Sequence, residues 1–171
     1  MPEITDRRYM RMKVLRPLSF TYEDETYEAE LRDISLCGAL VISDVPVETG
    51  RRVQLEITLP ETAEPVRVNG KIVRLLSLSA GLGNGFGVDF TVVSLSNREI
   101  IDGYVRSTFR HFRRLQFELS KFDVDWDTVN RLIPHTYLPV RNYSAETLRS
   151  LVTIELESFR LRKVVSASAN G

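Results

Sequence analysis

Two short stretches near the start of the chain combine side chains that can grip a phosphorylated ligand. Residues 7–11 read RRYMR, an R-x-x-x-R spacing, and residues 33–38 read DISLCG, a D-x-S-x-x-G spacing. The candidate ligand-binding residues are Arg7, Arg8, Arg11, Asp33, Ser35 and Gly38. An arginine guanidinium is a planar fork of donors that can bind a phosphate or the O6/N7 edge of guanine bidentately, and can stack on a purine face. The first stretch therefore predicts a clamp for a ligand that carries phosphates and guanines.

The second stretch supplies chemistry that complements the arginines. A carboxylate does not attract an anion, so Asp33 is expected to accept hydrogen bonds from the N1–H and N2–H₂ groups of guanine. Ser35 adds a small hydroxyl, and Gly38 lets the backbone approach a ligand closely. The alternative role for Asp33 and Ser35 is local hydrogen bonding within a turn. The alternative for the arginines is that they belong to a solvated basic arm and bind no ligand. Each stretch alone is therefore a weak signal.

The elements that must position these residues are predicted to be strands followed by helices. From residue 18 to residue 93, apolar and polar residues alternate in short runs separated by turn residues, which is typical of half-buried strands. Residues 23–25 (EDE) and Asn84-Gly85 are expected to be turns, and Gly70 a bulge. Six strands with short connections indicate a small antiparallel barrel, so the fold class is mainly β with α.

After the strands, the spacing of apolar residues becomes helical. A capping box from Ser96 to Glu99 and the apolar face that follows predict one helix over 96–119. A short helix is expected over 126–133 and a second long helix over 145–164. The predicted domains are a basic arm (1–17), a barrel with its following helix (18–119), a helical C-terminal extension (120–165) and a disordered tail (166–171).

Taken together and in this order, the two stretches resemble the signature of the PilZ domain family, R-x-x-x-R followed by [D/N]-x-S-x-x-G. Residues 38–42 (GALVI) and 87–90 (GVDF) are similar to the family's strand after the glycine and to its last barrel strand, and the resemblance covers residues 5–118. It implies a six-stranded antiparallel β-barrel, followed here by a C-terminal helical extension, with cyclic di-GMP held between the arginine arm and the second motif. Every signature position is filled, so ligand binding is expected.

The resemblance implies a bacterial cyclic di-GMP receptor whose conformation and partner contacts change when the dinucleotide orders the arm. The alternative is a ligand-independent adaptor of the same family that acts through protein–protein contacts. A protein effector is the expected partner. The two long helices could cover the barrel or pair with a second copy, and we favour the homodimer. The number of dinucleotides per site stays open, as does the output pathway among motility, adhesion, polysaccharide secretion and virulence.

The sequence contains no pattern that predicts catalysis or a metal site, so neither an enzyme nor a cofactor is expected. A nucleophile–base set is missing, and so are the G-G-D-E-F and E-A-L signatures of enzymes that make or degrade cyclic di-GMP. Residues 123–127 begin like a calcium loop, but Thr128 replaces the glycine that such a loop requires. Cys37 is interpreted as a structural thiol, and His111 and His135 as solvated or core-edge residues.

Composition and charge limit the remaining partner classes. The chain has 171 residues and a net charge of zero, which disfavours DNA as a partner. Arg106, Arg110 and Arg114 nevertheless form a basic stripe with Arg113 beside it. We interpret this stripe as a solvated face near a helix C-terminus, and its binding to DNA or lipid is a rival hypothesis. Neither a membrane-spanning apolar run nor a secretory signal is recognised, so a cytoplasmic location is expected.

Overall fold

The computed structural model describes residues 9–78, 81 and 83–168, with only the backbone described for residues 160–168. These residues form two compact units. One unit comprises residues 11–104, and the other comprises residues 9–10 and 105–168. None of the helices in the described part of the chain combines the length and the hydrophobicity that crossing a membrane requires.

The first unit is a closed antiparallel barrel with the strand order β1-β2-β3-β6-β5-β4. Its strands are β1 (Met12–Tyr22), β2 (Glu25–Ile34), β3 (Gly38–Ile42), β4 (Arg52–Ile57), β5 (Val66–Ser77) and β6 (Asn84–Val92). Buried and exposed side chains alternate along much of β1, β4 and β5, while β3 and the middle of β6 are buried at consecutive residues, and together these side chains fill the barrel with apolar residues. At its centre, the ring of Phe20 lies 5.3 Å from that of Phe86 in an edge-to-face contact. The predicted six-stranded barrel is confirmed.

The basic arm predicted for residues 1–17 is too long, because β1 begins at Met12 and not at Leu18. The register with β2 shifts between Lys13 and Arg16, and Leu15 has a φ of 52°. This β-bulge breaks the two-residue alternation that marks a strand in sequence. Proline has no N–H to donate to a neighbouring strand. Pro17 is tolerated because β1 pairs with β4 only from Leu18 onward.

The hairpin predicted between β5 and β6 is present, but its turn precedes Asn84-Gly85. Asn84 is already paired with Ser77 in the ladder. Positive φ values occur instead at Gly81 (75°) and Gly83 (81°), where glycine avoids the steric cost of a side chain. The other two turn features agree with expectation: the β1–β2 turn has positive φ at both central residues, and the register shifts at Gly70.

Three α-helices follow: α1 (Leu95–Ser120), α2 (Trp126–Leu132) and α3 (Ala145–Ser168), with a 3₁₀ turn at Ile133–His135 after α2. The cap of α1 lies two residues before Ser96, the residue predicted for it. The Ser94 hydroxyl accepts from the Asn97 backbone N–H at 3.2 Å, while the Asn97 side chain donates to the Arg67 carbonyl at 2.9 Å. Ser94 therefore caps α1. The predicted tail from residue 166 is also too long, since the α3 backbone stays helical to Ser168.

The second unit has an apolar core of its own. Phe112 of α1 contacts Tyr137 and Phe159, with ring centroids 4.8 and 6.2 Å apart. The boundary between the units falls inside α1, after Tyr104, and not after residue 119. The second half of α1 thus supplies buried residues to the helical unit. The apolar ones are Val105, Phe112, Leu115 and Leu119, and Thr108 is buried with them.

Candidate functional site

Arg11 and Asp33, one from each sequence motif, form an ion pair in the barrel. The Nη1 atom of Arg11 donates to Oδ1 of Asp33 at 2.7 Å. Arg11 lies directly before β1, and Asp33 lies near the end of β2, opposite Lys13. The two side chains are only 12% and 18% exposed, so solvent screens this pair less than a surface pair. The motifs are therefore joined by a short, charge-assisted hydrogen bond.

Ser35 is fully buried and its hydroxyl serves the loop between β2 and β3. The backbone N–H of Ser35 donates to the Gly38 carbonyl at 2.8 Å. Its side-chain oxygen donates to the same carbonyl at 3.4 Å and accepts from the backbone N–H of Cys37 at 3.3 Å. These contacts are the local turn bonding that the residue type favours. In this conformation Ser35 shapes the loop, and its side chain is not at the protein surface.

Gly38 lies where no larger residue fits. A Cβ atom at this position would be 2.4 Å from the Val88 carbonyl oxygen and 3.4 Å from Nη2 of Arg11. Gly38 starts β3 and pairs with Asp89 of β6, which fixes its distance from the neighbouring strand. The absence of a side chain therefore permits close strand pairing and leaves room for the Arg11 guanidinium.

The structure brings together Arg11, Asp33, Ser35 and Gly38 of the six predicted site residues. Arg7 and Arg8 lie outside the described residues. Of the four that are described, Arg11 directly precedes β1, Asp33 lies near the end of β2, Ser35 follows β2 in the loop, and Gly38 begins β3. The result is an Arg11 guanidinium that is held by the Asp33 carboxylate on one side and lies beside the Gly38 backbone on another.

Two further residues support this region and were not predicted to do so. The Tyr104 hydroxyl donates to the Lys13 carbonyl at 2.8 Å, beside the β1 bulge. Cys37 is exposed within the motif loop, and its carbonyl accepts from the Phe90 backbone N–H at 2.9 Å. The sequence contains no signal for the Tyr104 contact, because it depends on where α1 begins relative to a bulge.

The basic stripe on α1 does not lie at a helix terminus. Arg106, Arg110, Arg113 and Arg114 are exposed, but the last turn of α1 contains no basic residue. The helix dipole acts mainly within the last turn, so the helix C-terminus does not explain this stripe. The interpretation of the stripe as a solvated face therefore rests only on the exposure of these four arginine side chains.

The other candidate clusters have structural explanations. The Asp125 carboxylate caps α2 by accepting from the backbone N–H groups of Asp127 and Thr128 at 3.1 and 3.2 Å. His111 and His135 stack with ring centroids 4.9 Å apart, a contact that their sequence separation hides. Among the described residues, no group of three or more histidines, cysteines and carboxylates could hold a metal ion.

The comparisons with known proteins agree on one fold. The family model for the PilZ domain matches residues 5–107. Similar solved structures include the inhibitor of motility MotI/DgrA of Bacillus subtilis, with 16% identity and a TM-score of 0.53 over 58% of this chain and 49% of that one. YcgR of Escherichia coli in complex with c-di-GMP has 17% identity and a TM-score of 0.51, over 63% and 48% of the two chains.

A third solved structure has the same fold. The MrkH–c-di-GMP complex of K. pneumonia has 14% identity and a TM-score of 0.52, over 63% of this chain and 54% of that one. The chain thus spans about half the length of these three structures. At such low identities the likeness shows the fold alone. No curated protein matches the chain.

Proposed function

The chain belongs to the PilZ domain family, and from that premise we propose that it is a cyclic di-GMP receptor. The observation that carries the proposal is the part-buried Arg11–Asp33 pair beside Gly38, where both signature motifs of the family meet. The proposed ligand-binding residues are Arg7, Arg8, Arg11, Asp33, Ser35 and Gly38. The domain binds its ligand and is not an enzyme.

The proposed chemistry follows from the donor geometry of arginine. A guanidinium has five N–H donors in a planar fork, so Arg11 can serve Asp33 at Nη1 and also bind a phosphate or the O6/N7 edge of guanine. Arg7 and Arg8 precede Arg11 in the chain and would close over the ligand from the other side. Ser35 and Gly38 contribute through the loop: Ser35 holds its shape, and Gly38 allows the ligand and the guanidinium to come close to the backbone.

We further propose that the ligand acts as a switch. Binding would order the residues before β1, and part of the binding free energy would offset their lost conformational freedom. The ordered segment would then alter contacts with an effector protein or with a second copy bound through the C-terminal helices. Two of the similar solved structures, YcgR and MrkH, are complexes with c-di-GMP, which supports this choice of ligand.

The first experiment is a calorimetric titration of the full chain with cyclic di-GMP, using GTP and cyclic GMP as control ligands. We expect saturable binding of the cyclic dinucleotide alone, with a stoichiometry that separates one bound molecule from two. Arg11→Ala should weaken binding by about 1–3 kcal/mol, or roughly 10- to 100-fold, because one bidentate contact is lost. Arg67→Ala is the matched control: this exposed arginine pairs with Glu56 on the barrel surface at 2.9 Å, and its loss should leave affinity unchanged.

A failed titration would also be informative. If saturating cyclic di-GMP produces neither heat nor a shift in melting temperature, the receptor proposal is wrong. The chain would then be a ligand-independent adaptor of the same family, and the search would turn to proteins that bind its helical unit.

A further inference from the structure

The second half of α1 carries a cluster of exposed cations. Arg110, Arg113 and Arg114 are all exposed, and within the described part of the chain none of the three has an ion pair or a hydrogen-bond partner for its side chain. Their spacings of three and four residues from Arg110 make them neighbours on the helix surface. Like charges at these spacings repel each other and weaken a helix. The cluster is therefore not explained by the stability of α1.

An aromatic ring lies among these cations. Phe117 follows the three arginines by three, four and seven residues, which are the spacings that place side chains on one face of a helix. Its side chain is nevertheless 65% exposed. The Nζ atom of Lys121 lies 5.1 Å from the centroid of the ring and is paired with the neighbouring Glu118 at 2.8 Å. The charge of this acid is thus compensated, and the basic aromatic face, defined as the three arginines with Phe117, keeps an excess of positive charge.

An anionic lipid bilayer is the partner that fits both features of the basic aromatic face. Its negative headgroups attract arginines, and the boundary with the acyl chains below them accepts an aromatic ring. A second copy of the chain fits less well, because an isologous contact would set the same cations against each other. The phosphate surface of duplex DNA attracts the arginines but offers an exposed phenylalanine no apolar environment.

We infer that the basic aromatic face of α1 binds the surface of anionic phospholipid bilayers. The arginines lie at the level of the headgroups, and Phe117 reaches the boundary with the acyl chains. Phe122 is also fully exposed, but Asp123, Asp125 and Asp127 follow it, so its surroundings are acidic and the apolar contact is assigned to Phe117. This binding requires no cyclic di-GMP, and the inference therefore does not rest on the proposed function.

The test measures co-sedimentation of the full chain with vesicles of phosphatidylcholine alone, or of phosphatidylcholine mixed equally with phosphatidylglycerol. We expect binding only to the anionic vesicles, and weaker binding at high salt, because salt screens the attraction. The triple glutamine variant combines Arg110→Gln, Arg113→Gln and Arg114→Gln. It should lower the partition coefficient roughly fivefold for each arginine, or about 100-fold for three. Lysine at the same three positions retains the charge and should keep most of the binding.

Further variants test the aromatic ring and the location of the charge. Phe117→Ala should weaken binding to anionic vesicles by about tenfold, because the ring no longer leaves water. Phe117→Trp combined with Trp126→Phe leaves one tryptophan in the chain, and its emission should shift to shorter wavelength on anionic vesicles. The matched control is the triple variant of Arg51→Gln, Arg52→Gln and Arg67→Gln, which are exposed arginines of the barrel unit. It loses the same charge and should bind within about twofold of the wild type, because attraction over longer distances is screened.

Several outcomes would overturn the inference. A wild type that ignores anionic vesicles does so, and so does an equal loss of binding in the α1 and barrel triple variants, which would show that only net charge matters. A wild type that binds duplex DNA but not vesicles would assign the arginines to nucleic acid. A dimer that Phe117→Ala converts to a monomer, in a chain that does not bind vesicles, would assign the face to a second copy.

The vesicle experiment is separate from the titration with cyclic di-GMP. A chain that binds anionic vesicles through the basic aromatic face but does not bind the dinucleotide keeps this inference and loses the proposed function. A chain that binds the dinucleotide but not the vesicles does the reverse. Because the substituted arginines and Phe117 are exposed, the variants should melt cooperatively like the wild type, and the lysine variant keeps the test of charge independent of any loss of stability.

Discussion

At the scale of single residues, Gly38 is a position where the fold leaves no room for a side chain. A methyl group there would lie 2.4 Å from the Val88 carbonyl oxygen, and backbone at that distance moves only at a cost. We expect Gly38→Ala to lower the free energy of unfolding by about 1–3 kcal/mol, as overpacking of a filled site does. The added carbon would also crowd Arg11, so affinity for cyclic di-GMP should fall. Urea denaturation and calorimetry measure the two effects separately.

Gly103 provides the matched control, because it is an exposed glycine of α1 where an added methyl group would meet no atom within 4 Å. Alanine is the better helix former by about 0.8–1.0 kcal/mol, so Gly103→Ala should raise the free energy of unfolding. A Gly38→Ala protein as stable as Gly103→Ala would contradict the steric argument. Replacing glycine by alanine is thus expected to lower the free energy of unfolding at Gly38 and to raise it at Gly103. The reason in each case is the space around the glycine.

At the scale of elements, the capping of α2 gives stability that depends on pH. Hydrogen bonds from the Thr128 hydroxyl and then from the Thr128 backbone N–H are the main causes that lower the pKa of Asp125. Since the ionised form is favoured in the folded state, the stabilisation is present at neutral pH and is lost as the pH falls through the folded-state pKa, below about pH 4. The melting temperature of Asp125→Ala should therefore be lower than that of the wild type at pH 7, and the gap should narrow as the pH falls below the range in which an ordinary aspartate titrates.

Asp125→Asn is the control for the cap, because its neutral side-chain oxygen can cap α2 at every pH. Its melting temperature should lie near that of the wild type at pH 7. A gap between the wild type and Asp125→Ala that stays constant throughout the acid titration of the carboxylates would show that the charge of Asp125 does not matter. Because each variant is compared with the wild type at the same pH, the effects of the carboxylates that all the proteins share on the melting temperature cancel.

Most elements could be predicted because their signals are local. The alternation along β4 and the helical spacing along α1 are visible without any tertiary information. The start of β1 could not be predicted, because the bulge at Leu15 breaks the alternation where the strand is still paired with β2. The turn before Asn84 was misplaced because Asn-Gly is a turn signal in isolation, whereas Gly85 here packs against the Val41 carbonyl inside the sheet.

The candidate site could be predicted as a set of residues but not as a geometry. The motifs contain Arg11, Asp33, Ser35 and Gly38, yet no spacing along the chain reveals that the first two pair with each other. Nor does it reveal that Ser35 is buried beneath its own loop. The ion pair depends on the register between β1 and β2, which the sequence specifies only through packing, and the burial of Ser35 depends on how its loop folds onto the barrel. The direct role assigned to Asp33 from its chemistry alone stays a prediction.

At the scale of the whole molecule, the question is whether ligand binding in the barrel unit reaches the helical unit. The four described site residues belong to the unit of residues 11–104, whereas Phe112, Tyr137 and Phe159 form an aromatic core in the other. Helix α1 runs without interruption from Leu95 to Ser120 and so belongs to both. Each unit has buried apolar residues of its own, and hydrogen exchange can therefore report on each separately.

Phe112→Ala tests how far the two units depend on each other. Phe112 is fully buried, and its truncation should cost about 3–5 kcal/mol through lost burial and the cavity that remains. We expect faster amide exchange across residues 145–159 of α3, with cyclic di-GMP affinity retained within about twofold if the barrel folds independently. Phe117→Ala is the control on the same helix, because Phe117 is 65% exposed and its loss should change little.

The same exchange measurement on the wild type tests the proposed switch. Cyclic di-GMP should slow exchange around residues 11–14 and 33–38, where the proposed site lies. Cyclic di-GMP could in addition slow exchange in α3. If Phe112→Ala abolishes the slowing in α3 but keeps the slowing in the barrel, the effect of the ligand on α3 depends on the core that Phe112 helps to form. Slowing that is confined to the barrel would agree with the proposed receptor function. It would rule out the helical unit as the element that the ligand switches. Because a ligand shifts an equilibrium only by its differential affinity for the two states, slowing confined to the barrel would place the states that cyclic di-GMP distinguishes within the barrel unit.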